Sequence, residues 1–315
     1  MPMKKFSSLF VLILFVASLI SARKVPNPPA TLEGRWDITI TANGKEFPSW
    51  LEVTHSGTKY WVGHFVGISG SSRPVSRINV EGSKFSFAIP PQWENGTADL
   101  KLEGNFDGDK ISGTITMPDG KSNSFTGNRA PSLKREGEPK WGPAIELFNG
   151  KDLTGWEAIG SSNQWVAENG ILRSPKSGAN IRTKQTFDDF KLHLEFRYPK
   201  GSNSGVYLRG RYEVQISDNQ GSEPTKGDYS AVYGFIKPLE MAAKPAGEWQ
   251  TYDITLIGRM VTVVANGKTV ISNQEIPGIT GGALDSKEGE PGPIYFQGDH
   301  GPVEYRNITI QPAAR

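Results

Sequence analysis

Five dipeptides that favour tight turns, Asn43-Gly44, Ser56-Gly57, Glu81-Gly82, Asp107-Gly108 and Asp119-Gly120, cut residues 31–129 into short runs. Glycine, and Asn or Asp before it, reach the positive-φ backbone that short hairpin connections require. Links this short force the runs they join to pair antiparallel. The runs are Trp36 to Thr41, Ser49 to Thr54, Tyr60 to Ile68, Val75 to Val80, Lys84 to Ile89, Asp99 to Phe106, Lys110 to Met117 and Ser122 to Gly127. About eight antiparallel strands in roughly 100 residues predict a small β-barrel over 31–129. Trp50, Trp61 and Trp93 are candidate platforms for a ligand at its mouth, although burial is the commoner fate of tryptophan.

Residues 130–143 carry three prolines and five charged side chains and show neither strand nor helix period, so they read as a linker. From 144 to 312 the pattern returns to strands. Runs such as Asp189 to Tyr198, Trp249 to Ile257 and Val303 to Gln311 are punctuated by the hairpin signals Asn169-Gly170 and Asn266-Gly267. About eleven strands over roughly 170 residues predict a jelly-roll sandwich rather than an immunoglobulin domain. The fold class is therefore all-β. The longest stretch without a strand signal, Asn219 to Glu248, has the length of a functional loop.

Composition narrows the function. The 315 residues carry 35 basic and 33 acidic side chains and no cysteine. No basic run offers a nucleic-acid surface, and disulfides, thiolate metal sites and thiol-linked lipids are excluded. Residues 1–22 have the form of an export signal: Lys4 and Lys5, an apolar core from Leu9 to Ile20, and small residues at Ser21 and Ala22. A secreted or periplasmic protein is expected, with no membrane span once the signal is removed.

The most polar strand pair is Asn203 to Asp218, N-S-G-V-Y-L-R-G-R-Y-E-V-Q-I-S-D. Side chains two apart share a face of a strand. Tyr207 and Arg209 are thus expected to point one way on the first run, with Glu213, Gln215 and Ser217 together on the second. That is more polarity than a buried face tolerates, so the face is either solvated or a site.

The opening Glu146-Leu-Phe-Asn-Gly-Lys-Asp-Leu-Thr-Gly-Trp156, the central F-K-L-H-L-E-F-R from Phe190 to Arg197 with Asn203-Ser-Gly-Val206, the run Tyr212 to Ile216, and Gly298-Asp-His-Gly301 with V-E-Y-R-N-I from Val303 occur in that order. In these pieces residues 144–312 resemble the 3-keto-disaccharide hydrolase family, a concanavalin-A-like (lectin/glucanase) sandwich. The resemblance implies cleavage of glycosides already oxidised at C3. The ketone makes the C2 hydrogen acidic, and a base removes it. The enolate then expels the aglycone, and water adds. Such chemistry needs a base, donors for the enolate oxygen and an acid for the leaving group. His300 is the candidate base. Arg209 and Gln215 are candidates for the enolate, and Glu213 is the candidate acid, second base or metal ligand. Glu195, Asn203, Tyr207, Gln215 and Asp299 are candidate substrate contacts. A divalent ion is conceivable from His300, Glu213 and Glu195, though no short-spaced ligand motif exists. No G-x-G-x-x-G turn is present, so a separate oxidoreductase is the expected source of the keto sugar. Two alternatives stand beside this reading: a non-catalytic sugar-binding protein, and a conventional glucanase. The second is disfavoured because Gln215 stands where such enzymes place a middle carboxylate.

Overall fold

The computed structural model describes residues 31–160 and 162–314. The export segment expected over 1–22 lies outside the described residues, and no helix among those described is long and apolar enough to cross a membrane.

Eight strands form the N-terminal unit: β1 (Gly34–Ala42), β2 (Lys45–Ser56), β3 (Tyr60–Val66), β4 (Arg73–Glu81), β5 (Lys84–Ile89), β6 (Leu100–Asp107), β7 (Lys110–Thr116) and β8 (Ser122–Arg129). Each pairs antiparallel with the next, and β1 closes on β8 with Trp36 opposite Arg129. Closure leaves no open sheet edge. The alternation that predicted strands also fills the barrel: on β6, Leu100, Leu102 and Phe106 are buried while Lys101, Glu103 and Asn105 face water. Gly104 makes room for two rings there, since a Cβ would sit 2.8 Å from Phe85 and 2.9 Å from Phe125.

The C-terminal unit contains β9 (Ile145–Glu146), β10 (Trp156–Ile159), β11 (Val166–Glu168), β12 (Ile171–Ser174), β13 (Asn180–Thr183), β14 (Phe190–Arg197), β15 (Asn203–Leu208), β16 (Tyr212–Ser217), β17 (Gln250–Ile257), β18 (Met260–Ala265), β19 (Lys268–Glu275), β20 (Tyr295–Phe296) and β21 (Val303–Pro312). The sequence reading lacked β9 and β10. Two antiparallel sheets stack as a jelly-roll-type sandwich. One runs β10-β13-β20-β15-β16; the other runs β11-β12-β21-β14-β17-β18-β19, with β9 added beside β21. Val206, Leu208, Val214, Ile216 and Phe296 of the smaller sheet meet Leu194, Phe196, Ile254 and Tyr305 of the larger in one core. Phe296 stacks on Tyr305 with centroids 4.1 Å apart.

The segment 219–248 is not a free lid. Ser230, Ala231 and Tyr233 exchange backbone hydrogen bonds with Glu213 and Gln215, so this segment covers the outer edge of β16. The barrel packs against the same end of the sandwich. Trp50, fully buried, meets Phe235 edge-on at 5.2 Å. Gly281 lies so close to the barrel that a Cβ would come within 2.1 Å of the Gly70 carbonyl oxygen.

Candidate active site

Parity along the smaller sheet decides which side chains meet. Ser204, Val206 and Leu208 point into the core, which sends Asn203, Gly205 and Tyr207 to the outer face. Register then sets Glu213 opposite Tyr207, and Tyr207 opposite Tyr295. A cavity of about 610 Å³ lies over this face, lined by Asn180, Asn203, Tyr207, Glu213, Gln215, Tyr233, Tyr295, Gln297, Asp299 and His300. Ser69, Gly70 and Trp93 of the barrel form its far wall. The volume suits a sugar with part of its substituent.

The loop after β20 is tied down from below. The Asn180 amide oxygen accepts the Gly298 and Asp299 amides at 2.7 and 3.2 Å, while its nitrogen donates to the Tyr295 hydroxyl at 2.6 Å. Tyr295 therefore keeps its own hydrogen for the cavity. The loop so held carries His300, whose Nδ1 lies 2.7 Å from Asp299 Oδ1. A carboxylate only accepts, so Nδ1 bears a proton, and in the neutral ring Nε2 is left with a free lone pair. The hydrogen bond to Asp299 outweighs partial burial and raises the imidazole above its ordinary value. Burial alone would raise the Asp299 carboxyl, but its bond and attraction to His300 win, and it sits below the usual carboxylate range.

Glu213 is the opposite case. It is 4% exposed, and burial pushes its carboxyl up to about 8, against the pull of Tyr207 and His300. The side chain lies across Gly205, where a Cβ would be 2.2 Å from Glu213 Oε1. At neutral pH the cavity thus holds a protonated acid beside an Asp-oriented imidazole, the pairing that general acid–base chemistry requires. Two buried amide oxygens, on Gln215 and Gln297, have no partner among the described residues. Such groups are costly to leave unpaired and mark where hydroxyls of a ligand would bind.

Six of the eight residues singled out from the sequence line the cavity: His300, Glu213, Asn203, Tyr207, Gln215 and Asp299. Arg209 and Glu195 are corrections. The strand expected to carry Arg209 ends at Leu208, and Arg209 and Gly210 turn with positive φ, 52° and 67°. Arg209 therefore leaves the Tyr207 face. It is buried against Tyr212, donating to its hydroxyl at 3.1 Å, to the Gly258 carbonyl at 2.7 Å and to Asp188 at 3.2 Å. Glu195 sits on the larger sheet, whose outer face is remote from the cavity, and binds Arg306 and Asn307 at 2.8 and 2.6 Å. The three metal candidates consequently do not form one set. Among the described residues no group of three His, Cys, Asp or Glu side chains could hold a metal ion.

Sequence reasoning missed Asn180, Tyr233, Tyr295 and Gln297. Gln297 had a usable signal, standing directly after β20 and directly before the Gly-Asp-His-Gly loop. Trp93, for which burial was the commoner expectation, is 69% exposed at the cavity.

A sandwich with acid–base groups and unpaired amides in a sugar-sized cavity has the equipment of a carbohydrate-active protein. Residues 143–311 match the family described as the 3-keto-alpha-glucoside-1,2-lyase-like domain, and the chain belongs to that family. A curated relative, the 3-keto-disaccharide hydrolase of Bacteroides thetaiotaomicron, is 23% identical, the match covering 40% of this chain and 57% of the relative. The chain thus spans little more than half of that relative's length. Two solved structures from Parabacteroides distasonis, provisionally named glycosyl hydrolases, are also similar. One is 30% identical with a TM-score of 0.46, covering 58% of this chain and 96% of the other. The second is 20% identical with a TM-score of 0.44, covering 54% and 94%.

Proposed function

We propose that the protein is an exported enzyme that cleaves 3-keto-glycosides by elimination and hydration. The observation that carries this reading is the convergence of neutral-acid Glu213 and the Asp299–His300 pair over one face of the smaller sheet. His300 Nε2 takes the proton from C2, and the electron pair moves to the C3 oxygen as an enolate. As the ketone re-forms, the C1–O bond breaks and C1=C2 forms, with Glu213 giving its proton to the departing oxygen. Water then adds across C1=C2, the hydroxyl to C1 and a proton to C2, for net hydrolysis. The enolate donor is Tyr295, whose hydroxyl hydrogen is free, in place of Arg209. The Gln215 amide nitrogen donates to the Gly227 carbonyl at 3.3 Å, so its oxygen serves as an acceptor for sugar hydroxyls instead. The ketone is made by a separate oxidoreductase.

A conventional two-carboxylate mechanism along β16 is less well supported, because Asp218 accepts the Gly201 amide at 2.8 Å and does not line the cavity. A sugar-binding protein is the other reading, favoured by the exposed Trp93. The test is aglycone release from matched 3-keto and unoxidised glucosides, with His300→Ala alongside. Release from the keto sugar only, falling at least 100-fold in the variant, is expected. Binding without release from either sugar sinks the enzyme.

A further inference from the structure

Trp93 lies outside the family match, in the β5–β6 connection of the barrel, yet it walls the candidate site. Its loop is held firmly. Glu94 accepts the Gln92 and Trp93 amides at 2.8 and 3.2 Å, and is itself paired with Arg73 at 2.8 Å, both side chains 10% exposed. The Gln92 amide group bonds Ser71 twice, at 3.1 and 2.8 Å. A ring held exposed on an ordered loop is preorganised to stack on a ligand.

Trp93 and Ser69 also line a second cavity of about 260 Å³ at the same end of the barrel. Its apolar lining is Ile40, Ile68, Leu100, Ile115 and Met117. Polar side chains, Asn43, Glu94, Asn95, Asp119, Lys121 and Asn123, stand around them. A second sugar would have to send its hydroxyls to that rim and would leave any over the aliphatic lining unpaired. A flat apolar group would not.

We propose that the barrel supplies the leaving-group subsite: Trp93 stacks on the aglycone beside the scissile bond, and the apolar barrel mouth takes an aryl or similarly flat hydrophobic group. The inference rests on the function proposed above, which puts the sugar over Glu213 and His300. It gives the barrel a role in selecting substrates and makes Trp93 a specificity residue.

The test uses the full chain and unoxidised phenyl and methyl α-glucosides as binding probes in calorimetry. The phenyl glucoside is expected to bind about ten-fold more tightly, equivalent to about 1.4 kcal/mol. Trp93→Ala and Met117→Lys should each bring the phenyl and methyl affinities to within about two-fold of one another, while Trp93→Phe, which keeps a ring, retains the preference. In turnover of the two 3-keto glucosides, Trp93→Ala should raise the ratio of the phenyl KM to the methyl KM about ten-fold. Equal affinity for both probes in the wild type, or an equal loss of both in Trp93→Ala, overturns the subsite. A phenyl preference without turnover of either keto glucoside overturns the reaction and leaves the subsite standing.

Discussion

Glu213→Gln separates burial from chemistry. The Glu213 carboxyl is held near 8 in the folded chain, against 4.5 for the free group, because it is buried under the cavity. A group whose folded value is raised contributes stability that is fully present below its unfolded value and is lost as pH rises through the folded one. Between pH 6 and pH 8 this single carboxyl should therefore weaken the wild type by about 2 kcal/mol. Glutamine has nearly the same shape and does not titrate. Urea unfolding of both chains at pH 6, 7 and 8 isolates the effect, since every other titrating group is common to the two. The variant should lack that ~2 kcal/mol decline. Parallel pH slopes would refute the claim that burial keeps Glu213 protonated. Kinetics supply the second readout. With an alkyl aglycone, whose oxygen needs a proton to leave, kcat should fall about 100-fold or more. With 4-nitrophenol, which departs as an anion, the loss should be much smaller.

Gly205→Ala should displace Glu213, because the new Cβ would stand 2.2 Å from its Oε1. A shift of about 1 Å in a catalytic group costs roughly 100-fold, to be read as kcat on a 3-keto glucoside with the fold checked by circular dichroism. Glu195→Gln should leave kcat/KM within about two-fold and lower stability by no more than about 1 kcal/mol, as for an exposed ion pair; a larger loss of activity would return Glu195 to the site.

The barrel and the smaller sheet's polar face were legible because both rest on period two. In the barrel the turn dipeptides fixed the register, and in the sheet Glu213 and Gln215 could not both sit in an apolar core. His300 and Asp299 were found through the Gly-Asp-His-Gly motif of the family resemblance. What failed was parity at a turn. Arg209 follows Tyr207 by two residues, and an extended strand would have aligned them, but the chain reverses at Arg209 and Gly210 with positive φ. Glu195 failed for a different reason. Strand alternation says which residues share a face, not which of two sheets the face belongs to. Asn180 and Tyr295 come from strands adjacent in space and distant in sequence, β13 and β20, so strand periodicity alone could not join them to Glu213.

A cavity shared by two units is only as well formed as the contact that holds them. Here that contact buries a carboxyl as well as apolar groups such as Trp50. Asp37, on the outer face of β1, is 6% exposed. Burial first, and then the charge of Glu288 across the interface, push its carboxyl up to about 9. Glu288 is fully buried and accepts from the Tyr212 hydroxyl at 2.6 Å and the Arg259 Nε at 3.0 Å. At neutral pH Asp37 is held protonated and adds no charge beside Glu288, which is paired with Arg259. Glu288 and Arg259 both belong to the sandwich, so separating the barrel leaves that pair intact, while Asp37 would be freed to ionise. The buried Asp37 carboxyl therefore weakens the contact at neutral pH, and the contact should tighten as pH falls. Tyr212 connects this ionic cluster to the site directly, being the first residue of the strand that carries Glu213 and Gln215. The same strand thus anchors the interface at one end and presents the acid along its length. The distance between Glu213 and the Trp93 wall is therefore set where this strand meets the barrel.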